Sequence, residues 1–139
     1  RQIIMNFKVK NINIDNEVVA KVFKYKKLNF KGINFFTENN LNFQVGLMAH
    51  KKNHKIEPHY HLNKKKKIKS MSEFLIIFKG SIKVNFYDKK FKLKKNVILN
   101  PKDMILLIKG GHGFEVIKKV SMLEIKQGPF HKEIDKIRF

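Results

Sequence analysis

The chain is predicted to be all-β, on three observations. Short runs rich in β-branched and aromatic residues recur along nearly the whole sequence, several with an apolar side chain at every second position. Glycine and proline fall where such runs should end, at Gly32, Gly46, Pro58, Gly80, Pro101, Gly110 to Gly113 and Gly128-Pro129. No segment carries the apolar period of a long amphipathic helix. Strands this many and this short suggest a sandwich or a barrel. A chain of 139 residues makes one domain, long enough to bury a core and too short for two.

Taken in order, strands are expected over 17–25, 33–37 and 42–50, the second of them starting just after Gly32. In the third, Phe43, Val45, Leu47 and Ala49 alternate with Gln44, Gly46, Met48 and His50, which gives one core face and one mixed face that could line a pocket. Pro58 introduces an extended His59-Tyr60-His61. The apolar run 73–78 ends before Gly80, and 81–87 alternates Ile82, Val84 and Phe86 with Lys83, Asn85 and Tyr87, the pattern of a strand with one dry face. Strands over 96–99 and 104–108 flank Pro101. The last two, 114–117 and 120–126, lead to Gly128-Pro129, with Glu124 and Lys126 sharing a face opposite Leu123 and Ile125.

Composition excludes some chemistries. There is no cysteine, so no disulfide, thiolate site or cysteine nucleophile exists, and any metal must sit on His and carboxylate. No apolar run approaches the roughly 20 residues of a membrane-spanning helix, and no signal-peptide order is present, so the expectation is cytoplasmic with no membrane partner. The net charge of +20 invites a nucleic-acid reading. Against it, Arg1 and Arg138 are the only arginines, the lysines are spread along the chain, and the phenylalanines sit in core-parity positions. The lysines travel with an excess of Asn and Ile, as a coding bias acting on solvated positions would give, and a preference for a small anionic ligand is compatible with that. Lys64 to Lys67 with Lys69 read as a solvated loop or an anion-attracting lip.

The pair His59 and His61 carries the most chemical information. In an extended strand, residues two apart present their side chains to one face. Glu73 from the next strand and His112 from a distant one would complete a nitrogen and oxygen set suited to a divalent first-row metal. The alternatives are a hydrogen-bonded histidine pair without metal, a strand-end carboxylate facing water, and for His112 a turn residue or a general acid/base. His50, His54 and His131 carry no comparable pairing and read as surface or pocket-rim residues.

Together these residues resemble the cupin superfamily. Pro58-His59-Tyr60-His61 followed by Glu73, with six intervening residues before Gly80, is similar to its first motif, and Pro101-Lys102-Asp103 through Gly110-Gly111-His112 approximates its second. The resemblance spans about residues 46–114. It departs in a longer stretch between His61 and Glu73, in Lys102 where a Gly usually stands, in a missing Pro before Gly110, and in His112 arriving about one residue early. A bulge would restore the direction of His112. The resemblance implies a cupin-type double-sheet jelly-roll barrel. The sequence from Gly110 to Glu115 and the later Glu124 to Phe130 is similar to a subgroup of small bacterial cupins associated with sugar or polysaccharide genes.

The domain expectation is then one cupin domain over 1–139, with N-terminal strands over 1–40, a barrel over 42–126 and a tail over 127–139. The N-terminal strands exceed what a minimal barrel needs, so a homodimer is expected. The functional expectation is a metal-binding cupin holding Fe, Mn, Ni or Zn on His59, His61, Glu73 and His112. It would act on a small anionic or sugar-like substrate as an isomerase or epimerase first and a dioxygenase second. Gln44, His50, Phe114 and Lys126 are the substrate-binding candidates. Tyr60 or His50 could move a proton, with Tyr60 disfavoured because parity turns it away from its neighbours. The alternative is a cupin that binds a small ligand without turnover.

Overall fold

The computed structural model describes residues 8–24, 32–129 and 136–139. Among them the chain is all-β, a curled antiparallel sheet forming a half-barrel. Its strands are β1 (Lys8–Ile14), β2 (Glu17–Lys24), β3 (Gly32–Phe35), β4 (Gly46–Ala49), β5 (Glu73–Tyr87), β6 (Leu93–Leu99), β7 (Met104–Leu107) and β8 (Gly111–Lys126). The main sheet runs β1-β2-β7-β5-β6, with β8 paired along β5, while β3 and β4 form a separate hairpin. No helix among the described residues is long and apolar enough to cross a membrane.

The two-faced strands explain the uninterrupted apolar runs. β7 sits between β2 and β5, so Ile105 and Leu107 point into one core and Leu106 into another. The inner core gathers Ile12, Val22, Leu75, Ile77, Ile82, Val84, Phe86, Leu99 and Ile105 on the concave side. On the other side Phe23, Leu106 and Ile108 are covered by Phe36, Leu41, Phe43, Val45 and Leu47. Lys21, though buried, places its ammonium 3.0 Å from both Asn11 Oδ1 and Glu38 Oε1. The inward alternation of Ile82, Val84 and Phe86 is as the sequence predicts.

The largest difference from the sequence expectation lies in β5 and β8, each continuous where two strands were predicted. The register slips between Ile77 and Ile82, so the inward positions change from Leu75 and Ile77 to Ile82, Val84 and Phe86. The bend that permits this is centred on Gly80, whose φ is +76° and whose missing Cβ would lie 2.0 Å from the Lys119 carbonyl oxygen. Only glycine fits there. The ribbon thereby keeps one face on the core along both halves.

Other boundaries shift for local reasons. Strand 42–50 shortens to Gly46–Ala49 because Phe36 to Val45 form a loop, closed by the Phe36 N–H on the Val45 carbonyl (2.8 Å). β1 went unread because its Lys- and Asn-rich sequence buries little beyond Ile12 and Ile14. Its hairpin with β2 turns through Asp15 and Asn16, both at positive φ, as the tight antiparallel turn requires. β1 and β2 are integral to the main sheet, so the surplus strands behind the expected dimer are used within the sheet. The expected strand end at Tyr25, His131 and residues 130–135 of the expected tail lie outside the described residues. Residues 50–72 form no strand, so His59 and His61 are not on the predicted extended element.

Candidate functional site

Glu73 begins β5 at a point stitched to two other strands. The Ser72 N–H donates to Gln127 Oε1 (3.0 Å), and the Ser70 hydroxyl donates to the Ile108 carbonyl (3.0 Å). Glu73 is opposite Leu107 on β7 and Lys126 on β8, and it shares the face of Leu75 and Ile77. It therefore stands where the inner core ends. His112 is opposite Phe86, and Phe114 opposite Val84, so both leave β8 on that same inner side. The slips between Ile77 and Ile82 keep Lys126 and His112 on one face despite the bend.

Bending the ribbon brings its two ends together. His112 Nε2 lies 3.3 Å from Glu73 Oε2, with both side chains largely buried. The hydrogen bond from His112 holds the Glu73 carboxyl below its ordinary value of 4.5. Burial opposes that shift, while the charges of His112, Lys126 and Lys136 reinforce it. Phe114 tilts against His112 with ring centroids 5.6 Å apart.

Two cavities meet at Glu73. One of about 290 Å³ is lined by Ser70, Met71, Glu73, Leu107, Lys109, Gly110 and His112. The other, about 230 Å³, is lined by Met71, Glu73, Lys126, Gln127, Gly128, Pro129 and Lys136. A larger apolar cavity of about 620 Å³ lies on the other face of the sheet, against Phe74, Ile76 and Met104. It is distant in character from the titratable pair, having Gln44 and Asn42 as its polar lining.

Of the sequence-predicted residues, the structure gathers Glu73, His112, Phe114 and Lys126. Gln44 is on the opposite side, where its amide closes the loop by donating to the Glu38 and Leu41 carbonyls at 3.0 Å and meeting Thr37 Oγ1 at 3.2 Å. His50 is exposed and stacks on His54 with centroids 4.1 Å apart, a pairing the sequence reading did not anticipate. Tyr60 is exposed. His59 and His61 meet edge to face at 5.3 Å in the exposed stretch and line neither cavity at Glu73. Among the described residues no three His, Cys, Asp or Glu side chains form a group that could hold a metal.

The donor chemistry suits a divalent metal, but in position the structure assembles only Glu73 with His112. His59 adds one relevant detail: its Nδ1 lies 2.9 Å from the Glu57 carbonyl oxygen, and an N–H donated there leaves Nε2 as the lone-pair nitrogen. Sequence reasoning missed Lys109, Lys136, Gln127, Ser70 and Met71 as pocket residues. Lys109 carried a signal in standing beside Gly110 of the second motif, whereas Lys136 is brought in only by the folded chain.

The turn of the second motif also explains one departure. Lys102 adopts φ +72°, the left-handed conformation for which glycine is suited, and its N–H donates to the Ile77 carbonyl (2.8 Å). Asp103 accepts the Asn100 N–H (2.8 Å) and the ammonium of Lys24, holding the turn against β2 and β5. Comparison with family models, curated proteins and solved structures gives no match for this chain.

Proposed function

We propose that this chain is a metal-binding, cupin-type enzyme acting on a small anionic or carbohydrate-type substrate, with Glu73 and His112 at its centre. The observation that carries the reading is the 3.3 Å approach of His112 to Glu73, from opposite ends of a bent strand pair and beside two cavities. In this reading the half-barrel is part of a double-sheet jelly roll. Glu73, His112, His59 and His61 would hold Fe, Mn, Ni or Zn, the two histidines entering from the 50–72 stretch. Such a metal supplies a Lewis acid for a carbonyl or carboxylate oxygen. The protein's own contribution is a cationic pocket beside the pair: Lys126 and Lys136 line one of its cavities and favour an anion. The reaction class we favour is isomerisation or epimerisation next to a carbonyl.

A second reading keeps the same pair without metal. With Nε2–H donated to Glu73, His112 presents Nδ1 as a base, and Glu73 stabilises the imidazolium that forms on taking a proton. The direct contact between Glu73 and His112 supports this form. Both readings retain the pair as the centre of the pocket.

Incubation of the purified protein with keto-sugar phosphates in D₂O tests the reaction. Deuterium entering the carbon beside the carbonyl, and lost in Glu73→Gln, supports an enzyme. Saturable binding with no deuterium entry supports instead the ligand-binding cupin without turnover. A homodimer belongs to the proposal, supported by the 16-residue β8, which among the described residues pairs only with β5 and exposes Val116, Ile117, Leu123 and Ile125. Light scattering at the monomer mass would contradict it.

A further inference from the structure

We propose that Lys126 and Lys136 form a seat for a ligand oxyanion beside Glu73, and that Phe139 holds Lys136 in that seat. The inference rests on the Glu73 pocket taking a small ligand and assigns the chemical group that anchors it. Lys126 is opposite Glu73 in the β5–β8 register, so both side chains leave the same face. Lys136 arrives from the segment 136–139, and both lysines line the 230 Å³ cavity.

Charge in this cavity is unbalanced. Among the described residues Glu73 is its sole carboxylate, and that carboxylate is already engaged by His112. Lys109, on the other side of Glu73, is matched by Glu17 at 2.8 Å. Among the described residues neither Lys126 nor Lys136 has an ion pair within 4 Å, although both are near enough to lower the Glu73 pKa. Two ammonium groups sharing a small concave space gain most from an anion placed between them.

Gln127 supplies a neutral donor. Its Oε1 accepts the Ser72 N–H, which fixes the amide and leaves its NH₂ group as a donor on the cavity lining. A compact oxyanion, either carboxylate or phosphate, matches point-charge ammonium donors and one amide. A polymer backbone does not fit in a space of 230 Å³.

Phe139 is the anchor of the segment that carries Lys136. Its ring stacks on Phe91 with centroids 4.4 Å apart and meets Tyr87 edge-on at 5.1 Å. The ring occupies space that Gly111 leaves open, since a Cβ there would lie 3.1 Å from it. Three aromatic rings thus hold a short segment whose other end is at Glu73.

The test is calorimetric titration of inorganic phosphate and, separately, acetate into the full chain as purified and after dialysis against a chelator. The proposal expects one saturable site that persists without metal and a preference that tells phosphate from carboxylate ligands. Lys126→Met and Lys136→Met should each weaken it at least tenfold, whereas the exposed controls Lys10→Met and Lys95→Met should change it less than twofold. Phe139→Ala should match Lys136→Met and add nothing to it in the double variant. No saturable site, lysine variants within twofold of the parent, or additive Phe139 and Lys136 effects would overturn the seat. A chain that binds no metal yet shows this pattern defeats the metal reading alone, and one that holds metal without the pattern defeats the seat alone.

Discussion

Glu73 and His112 are within 3.3 Å of each other although the strand register pairs His112 with Phe86, at the far end of β5 from Glu73. The contact exists because the β5–β8 ribbon folds back on itself at Gly80. The site is thus a product of one bend, and its integrity depends on a residue that touches neither partner.

Gly80→Ala should be among the most damaging single changes in the chain. A methyl group 2.0 Å from the Lys119 carbonyl must displace backbone, and φ +76° is strained for alanine as well. We expect a loss of about 2–4 kcal/mol in urea unfolding. At Gly113 the added Cβ would meet the Tyr87 ring at 3.8 Å, an ordinary contact, so Gly113→Ala should cost less than about 1 kcal/mol.

Acid should weaken the fold through its paired carboxylates. Glu73 is lowered chiefly by His112, Glu17 by Lys109, Glu38 by Lys21, Glu115 by Lys83, and Asp88 by the Lys92 N–H. A carboxylate with a depressed folded-state pKa contributes stability that is present above its ordinary value, 4.5 for Glu73, and lost as pH falls through the lowered one. The stability gap between the parent chain and Glu73→Gln should therefore shrink as pH falls below 4.5. Chemical unfolding across that range measures it.

Asp103→Ala should destabilise by about 2 kcal/mol, because it frees the Asn100 N–H and leaves the Lys24 ammonium with the Ile98 carbonyl but no carboxylate. The half-exposed position of Lys24 keeps the figure modest. Replacing both residues, as Lys24→Met with Asp103→Asn, should recover part of the loss, which thermal melts of the two variants beside the parent chain would show.

The buried Lys21 behaves differently from its surface counterparts. Removing Glu38, its exposed partner, leaves Asn11 to receive the ammonium, so Glu38→Ala should cost about 1 kcal/mol. Lys21→Met replaces the charge by a similar apolar volume opposite Leu106 and should be close to neutral. A cost above about 3 kcal/mol for Lys21→Met would show that the ammonium is needed for the native packing.

Much of the architecture was legible because period-two alternation reports burial directly, as at Ile82, Val84 and Phe86. The joins were not. Gly80 read as the end of a strand, whereas it is the bend within one, since a glycine at positive φ serves either purpose. Glu73 and His112 were legible as chemistry by residue type and spacing, and Lys126 by its parity with Glu124. Lys136 and Phe139 left no local trace because their role is set by where the chain returns. His59 and His61 were read as strand residues from Pro58 and their spacing alone, and the apolar residues around them, Ile56, Leu62 and Ile68, are exposed rather than packed on the sheet.

The most direct test of the proposed centre is elemental analysis of the full chain purified without an affinity tag, beside Glu73→Gln and the double variant His59→Ala, His61→Ala. The account predicts a first-row transition metal near one per chain, lost in both variants. Metal retained in full by the histidine double variant would contradict the proposed ligand set.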